Sequence, residues 1–171
     1  MRRLLRGTLS KIELCPHSLH TPTMSFKIKP LTSLHCKSVR DIFEETFDRQ
    51  EYADFNTAWR FRSKSESIGI FTHEGDLLGF AIIWGSGRML KYLCIHPEYQ
   101  RFKLGTKLLK AVLDNCLSNG KSLHLVPAQN AHLTQWYSKH GFTVTKYFKA
   151  FDGTRWYYMN FHAYPTRSKS V

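Results

Sequence analysis

The stretch from Tyr92 to Ala111 combines the residue types most suited to holding an anionic ligand. It opens on an apolar run, Tyr92-Leu93-Cys94-Ile95, short and β-rich enough to predict a buried strand. His96-Pro97 stops that run, because proline has no N–H for a ladder and restricts the residue before it. A short basic loop with Arg101 and Lys103 follows, and Leu104, Leu108, Ala111 and Val112 then recur at helical spacing, with Lys107 among them. A strand therefore runs through a basic turn into a helix. The first N–H groups of such a helix have no acceptor inside it, and the helix dipole places partial positive charge there. Gly105 lets a ligand come close to the backbone. On residues alone the turn is either a solvated connection or an anion site of the phosphate-binding kind.

Two further stretches could do chemistry. In Asn130-x-x-Leu133-x-x-Trp136-Tyr137-x-x-x-Gly141-Phe142, Asn130 suits a helix cap, and Leu133, Trp136, Tyr137 and His140 share a helical face. Tyr137 reads as a core tyrosine or as a hydroxyl presented to a site. Earlier, Asp41, Glu44, Glu45, Asp48, Glu51 and Asp54 make up six of the chain's thirteen acids, with only Arg49 set against them. They read as a solvated helix face or as a wall that concentrates a cationic ligand.

The elements that must position these residues follow from periodicity and punctuation. Alternation or apolar runs predict strands over 25–29, 67–71, 77–84, 88–95, 122–126, 142–148 and 155–161. Thr32 or Ser33 suits the cap of a helix from about Leu34, whose apolar face is Val39, Ile42, Phe43 and Phe47. Further helices are predicted over 52–61, over 104–117 with Asn119-Gly120 as its stop, and from Asn130 to Gly141. Asp152-Gly153 marks a hairpin. Leu123 and Leu125 fall on one strand face and His124 on the other.

Composition limits the classes open to the chain. Its 171 residues suit one domain, and 42% hydrophobic with 14% aromatic residues argue for a folded globule. No apolar run reaches the ~18–20 residues of a membrane span. The four cysteines lack metal-ligand spacing and the histidines are scattered, so no metal site is predicted; Cys94 and Cys116 are expected to be buried thiols of a cytoplasm-like compartment. A net charge of +12 attracts polyanions, but no specific nucleic-acid signature appears. Residues 1–23 are basic and amphipathic, which fits an organelle-targeting extension, a disordered tail, or an upstream start with Met24 opening the domain. Residues 24–164 form the predicted domain and 165–171 a basic tail.

His96-Pro97-Glu98-Tyr99-Gln100-x-x-Lys103-x-Gly105-Thr106 resembles the signature of the GNAT family, the Gcn5-related N-acetyltransferases, as does the Asn130–Phe142 stretch. The resemblance spans roughly Phe26 to Phe161. It implies an α/β (α+β) fold: a central, mostly antiparallel mixed sheet of six to seven strands, helices on both faces, and a splay between two central strands. It further implies that acetyl-CoA is the co-substrate. Its diphosphate would lie on Gln100, Arg101, Phe102, Lys103, Leu104, Gly105 and Thr106. Its pantetheine arm would lie along Leu93, Cys94 and Ile95, and against Asn130. Tyr137 would protonate the departing thiolate. Lys103 stands where the family pattern has its first glycine, so either the turn keeps φ negative there or the cofactor site is altered.

The implied reaction is direct acetyl transfer to a primary amine in a ternary complex, with the acidic segment favouring a cationic small amine, a polyamine, or a peptide or protein amine. A homodimer is compatible with this reading. Some members carry a glutamate early on the strand that enters the cofactor turn, but Arg88-Met89-Leu90 offers none. Glu45 and His124 are the candidate bases, with Glu44 and Asp48 beside them. The rivals are a non-catalytic acyl-CoA sensor and a basic nucleic-acid-associated protein.

Overall fold

A computed structural model of the chain describes residues 25–47, 51–85, 88–128 and 130–163. The expectations for residues 1–23 and 165–171, and for Asp48, fall outside the described residues. The elements run β1 (Phe26–Pro30), α1 (Cys36–Thr46), α2 (Tyr52–Arg60), β2 (Ile68–Thr72), β3 (Leu77–Trp84), β4 (Met89–Ile95), α3 (Leu104–Ser118), β5 (Leu123–Leu125), α4 (Ala131–Lys139), β6 (Thr143–Lys149) and β7 (Arg155–Phe161). Two connections differ from the sequence expectation. The helix expected from Leu34 begins as a 3₁₀ turn, Ser33–His35, and the expected loop after Pro97 is a 3₁₀ helix, Pro97–Phe102. Proline at its first position fixes φ where no intrahelical N–H bond is needed.

The seven strands form one sheet in the order β1-β2-β3-β4-β5-β7-β6. Every pairing is antiparallel except β4 with β5, which run parallel. α3 packs on one face, over a core that includes Ile83, Leu90, Leu108, Val112, Leu125 and Met159. α1 and α2 cover β3 and β4 on the other face, over Phe43, Phe55, Phe80, Ile82 and Tyr92. Phe43 anchors this second layer. Its ring lies 4.1 Å from that of Phe55, 4.9 Å from Phe47 and 5.4 Å from Tyr92. A phenylalanine so placed is worth about 3–5 kcal/mol against truncation to alanine. The apolar phase of α1 seen in the sequence therefore seats the acidic segment beside β4.

Two local irregularities shape the site. β3 and β4 slip register between Ile82 and Ile83, which pair with Tyr92 and Leu90. Lys91 is thus the extra residue of a bulge, and a bulge bends its strand and re-aims a side chain. Gly79 lets the two strands close just beyond it, since a Cβ there would stand 2.4 Å from Ile95 Cδ1 and 2.6 Å from the Cys94 carbonyl.

Candidate active site

β4 and β5 touch at a single register position, Met89 with His124, where the His124 N–H donates to the Arg88 carbonyl at 3.0 Å. Beyond it β5 is only three residues long and ends before Pro127, and the two strands part. The other edge of β4 is fully engaged with β3. The His96 N–H donates to the Leu78 carbonyl, so ladder alternation turns the backbone groups of Leu93 and Ile95 away from β3, into the gap. An open cavity of about 1020 Å³ fills that gap.

The rim at one end is the start of α3. Lys103, Gly105 and Thr106 line it, and the Gln100 Nε2 donates to the Ile95 carbonyl at 3.2 Å, tying the 3₁₀ helix to the strand end. Lys103 has φ 57° and ψ 21°, the left-handed conformation that glycine adopts freely. Of the two alternatives set by the sequence, φ is therefore not negative. The lysine takes the glycine-like shape at a cost of roughly 1–2 kcal/mol. Gly105 answers a different need. A Cβ there would lie 3.7 Å from Ile95 Cγ1 and 3.9 Å from Leu93 Cδ2, ordinary contact distances. The fold does not require glycine at that position; what its missing side chain keeps open is the cavity beside the free N–H groups of α3. This corner suits a diphosphate.

The opposite wall is α4. The Asn130 side chain accepts from the His132 N–H at 2.9 Å and caps the helix. Leu133, Trp136 and Tyr137 then face the cavity. The Tyr137 ring packs edge-on against Trp136 (4.8 Å) and Phe142 (5.5 Å), and burial pushes its phenol up to about 12. The phenol therefore stays protonated at neutral pH.

The third wall is contributed by the α1–α2 region, through Thr46, Phe47, Glu51 and Asp54, with Lys91, Tyr92 and Trp156 nearby. Asp54 Oδ2 accepts from the Lys91 ammonium at 2.7 Å and from the Tyr92 hydroxyl at 2.9 Å. Burial first, then Asp54, raises the Tyr92 pKa, so this phenol too stays neutral.

The residues named from sequence divide cleanly by position. Leu93, Ile95, Gln100, Lys103, Gly105, Thr106 and Tyr137 line the cavity. Cys94 does not. It points into the α1 layer, where its thiol donates to Thr46 Oγ1 at 3.2 Å and burial lifts its pKa to about 11. Leu104 is buried in the α3 core, and Arg101 and Phe102 are exposed. Asn130 is outside the lining and serves as the cap.

Neither proposed base lines the cavity. Glu45 Oε2 faces His96 Nε2 at 3.2 Å, while His96 Nδ1 accepts from the Glu98 N–H. His124 lies on β5 on the sheet face away from Leu123 and Leu125, with its pKa lowered by burial and then by Lys146. Sequence reasoning missed Lys91, Tyr92 and Trp156 as site residues, because a bulge and a cross-sheet neighbour leave no signature in linear spacing. It had grouped Glu51 and Asp54 with the acidic wall without separating them from Asp41, which pairs with Lys37 in solvent.

The site is thus a gap at one parallel strand pair, with a helix start at one rim and a buried phenol across from it. The sequence profile described as "Acetyltransferase (GNAT) domain" matches residues 33–163. The chain belongs to the GNAT acetyltransferase family. No curated protein is a significant match. Among solved structures, the chain is similar to the ribosomal-protein-S18-alanine N-acetyltransferase of Escherichia coli, at 20% identity and TM-score 0.66, over 86% of this chain and 99% of that one. It is also similar to the PaiA N-acetyltransferase of Thermoplasma acidophilum in complex with coenzyme A, at 19% identity and TM-score 0.60, over 81% and 99%. A third is the GNAT family N-acetyltransferase YhbS of Escherichia coli, in complex with CoA, at 13% identity and TM-score 0.65, over 85% and 86%. At these identities the likeness is one of fold. Among the described residues, no helix is long and apolar enough to cross a membrane.

Proposed function

We propose that the chain transfers an acetyl group from acetyl-CoA directly to a primary amine within a ternary complex. The observation that carries the reading is the single cavity joining the α3 start, the β4 edge at Leu93 and Ile95 that faces away from β3, and the Tyr137 phenol. With the diphosphate on Lys103, Gly105 and Thr106, the arm would lie along β4 and borrow the gap-side backbone groups of Leu93 and the Ile95 N–H, as an added strand does. A backbone N–H at Ile95 would face the carbonyl oxygen as it gains charge. The amine nitrogen attacks the acyl carbon, the C–S bond breaks, and the thiolate takes the Tyr137 proton. Anchoring both ends makes the encounter effectively intramolecular.

The high pKa of Tyr137 is compatible with this role, because apolar surroundings raise the pKa of a thiol too, as burial in the α1 layer does for Cys94. Among the described residues, Asp54 and Glu51 are the carboxylates that line the cavity. They favour a cationic acceptor, and Asp54 is better placed than Glu45 or His124 to receive the amine's proton. Radiolabelled acetyl-CoA offered with a panel of polyamines, small amines and peptides tests the reading. Transfer to cationic members that is lost in Tyr137→Phe supports it. CoA binding without turnover on any amine would favour the sensor instead.

A further inference from the structure

Trp156 belongs to two surfaces at once. It lines the cavity together with Glu51 and Asp54, and it is the inner end of an aromatic ledge on β7 and β6. Strand pairing explains its reach. β5 ends at Leu125, opposite Met159, so β7 has no β5 residue beside it from Tyr158 back to Arg155. Met159 points into the α3 core, and alternation turns Tyr158 and Trp156 to the other face, the one that α1 and α2 cover over β3 and β4. Phe148 pairs with Trp156 and Lys146 with Tyr158, which puts both on that face, while Lys149 and Arg155 pair on the opposite one. The Phe148 ring lies parallel to Trp156 within 8°, at 6.3 Å, and 5.5 Å from Tyr158, and keeps 42% of its surface. Exposed rings running out from the mouth of a cavity mark a binding surface.

The groups at the two ends of the ledge select its occupant. At the inner end the cavity wall carries the carboxylates of Glu51 and Asp54 and the ammonium of Lys91, which pairs with Asp54 at 2.7 Å. Two carboxylates against one ammonium suit a ligand with one positive charge. At the outer end the Lys146 ammonium stands 4.4 Å above the Tyr158 ring. It already fills the cation–π position there and repels a second cation. A polyamine stretched along the ledge would set its far ammonium against Lys146. A ligand with one ammonium and an uncharged flat body meets attraction at both ends, because an aromatic ring gains from parallel or edge-on contact with Trp156 and Phe148 beyond the area it buries. We propose that the acyl acceptor is a monoamine carrying an aromatic ring, free or at the head of a peptide, with its amine at Asp54 and Glu51 and its ring on Trp156 and Phe148. The inference rests on the acetyltransferase reading and deepens it by naming the class of acceptor.

Calorimetric titration of the full chain saturated with CoA reads the ledge whether or not an amine is turned over, and acetyl transfer measured beside it reads the reaction. Phenethylamine or phenylbutylamine should bind at least about tenfold more tightly than butylamine, and more tightly than spermidine. Trp156→Leu and Phe148→Leu keep apolar bulk without a ring, and each should cut the preference over butylamine to less than about threefold. Tyr147→Leu removes an exposed ring from the opposite face of β6 and should leave that preference intact. Lys146→Glu should strengthen spermidine binding by about threefold or more. A phenylalanine-led peptide amide that matches the free amines would place the ring on a peptide, and one that binds far more weakly would place it on a small molecule; either supports the ledge. Binding indifferent to the ring, a preference that survives both leucine variants, tightest binding of spermidine, or no binding of any amine would overturn the proposal. Acetyl transfer without ring preference would do so while leaving the acetyltransferase reading in place. Ring-selective binding with transfer to no amine would count against that reading and not against the ring site.

Discussion

Replacing Gly105 with alanine should pull stability and cofactor affinity in opposite directions. Gly105 is the second residue of α3, and glycine within a helix is less favourable than alanine by about 0.5–1 kcal/mol. The added Cβ meets Ile95 Cγ1 at 3.7 Å and Leu93 Cδ2 at 3.9 Å, so no steric term cancels the gain. For a domain of this size about 1 kcal/mol corresponds to a rise of roughly 2–4 °C in Tm. The same methyl group enters the corner where the diphosphate would meet the first N–H groups of α3. Displacing the anion by even a few tenths of an ångström weakens several charge-assisted bonds together, and a loss of at least tenfold in CoA affinity is expected, about 1.4 kcal/mol. Scanning calorimetry without ligand, then with a CoA series, reads both quantities. The unliganded variant should melt higher than wild type and gain less from CoA. A variant that melts lower, or that binds CoA as wild type does, would refute the claim that this glycine serves the ligand rather than the fold.

Three other outcomes follow from the geometry. Lys103→Gly should raise stability by roughly 1 kcal/mol in urea unfolding, by relieving left-handed backbone, while weakening CoA binding through the lost charge. Asp54→Asn should lower kcat/KM for cationic acceptors at least tenfold relative to uncharged ones, with stability changed by less than about 1 kcal/mol because the carboxylate is half exposed. Tyr92 and Tyr137 both have folded pKa values above the unfolded value of about 10, so above that pH the unfolded chain loses protons first. Stability should be unaffected below about pH 10 and fall as pH rises toward 12, at up to about 1.4 kcal/mol per pH unit for each group. Urea midpoints measured across that range check this, and Tyr137→Phe should reduce the slope.

Much of this architecture is legible in linear order, for physical reasons. β4 announces itself as an apolar run that a proline ends, α3 as a periodic face with a glycine stop, and the β6–β7 hairpin by Asp152-Gly153. The parting of β4 and β5 is implied by resemblance, and its structural expression is that β5 stops after three residues. What spacing cannot reveal is how the chain turns between elements. The six clustered acids look like one wall, yet α1 sends Asp41 to solvent and Glu45 to His96, while Glu51 and Asp54 reach the cavity. Lys91 enters the site through a one-residue register slip, and Trp156 arrives from a strand more than sixty positions away in sequence. Alternation put His124 opposite Leu123 and Leu125, but not which face of the sheet borders the gap.

The shared cavity is the central claim, and steady-state kinetics of Tyr137→Phe beside its acetyl-CoA affinity test it most directly. Removing the hydroxyl should lower kcat by about 10²–10⁴-fold while Kd for acetyl-CoA stays within about threefold of wild type. Wild-type kcat should show no falling alkaline limb near pH 10, because burial holds this phenol protonated up to about 12. Undiminished turnover by the phenylalanine variant, or turnover and affinity lost together, would contradict the account.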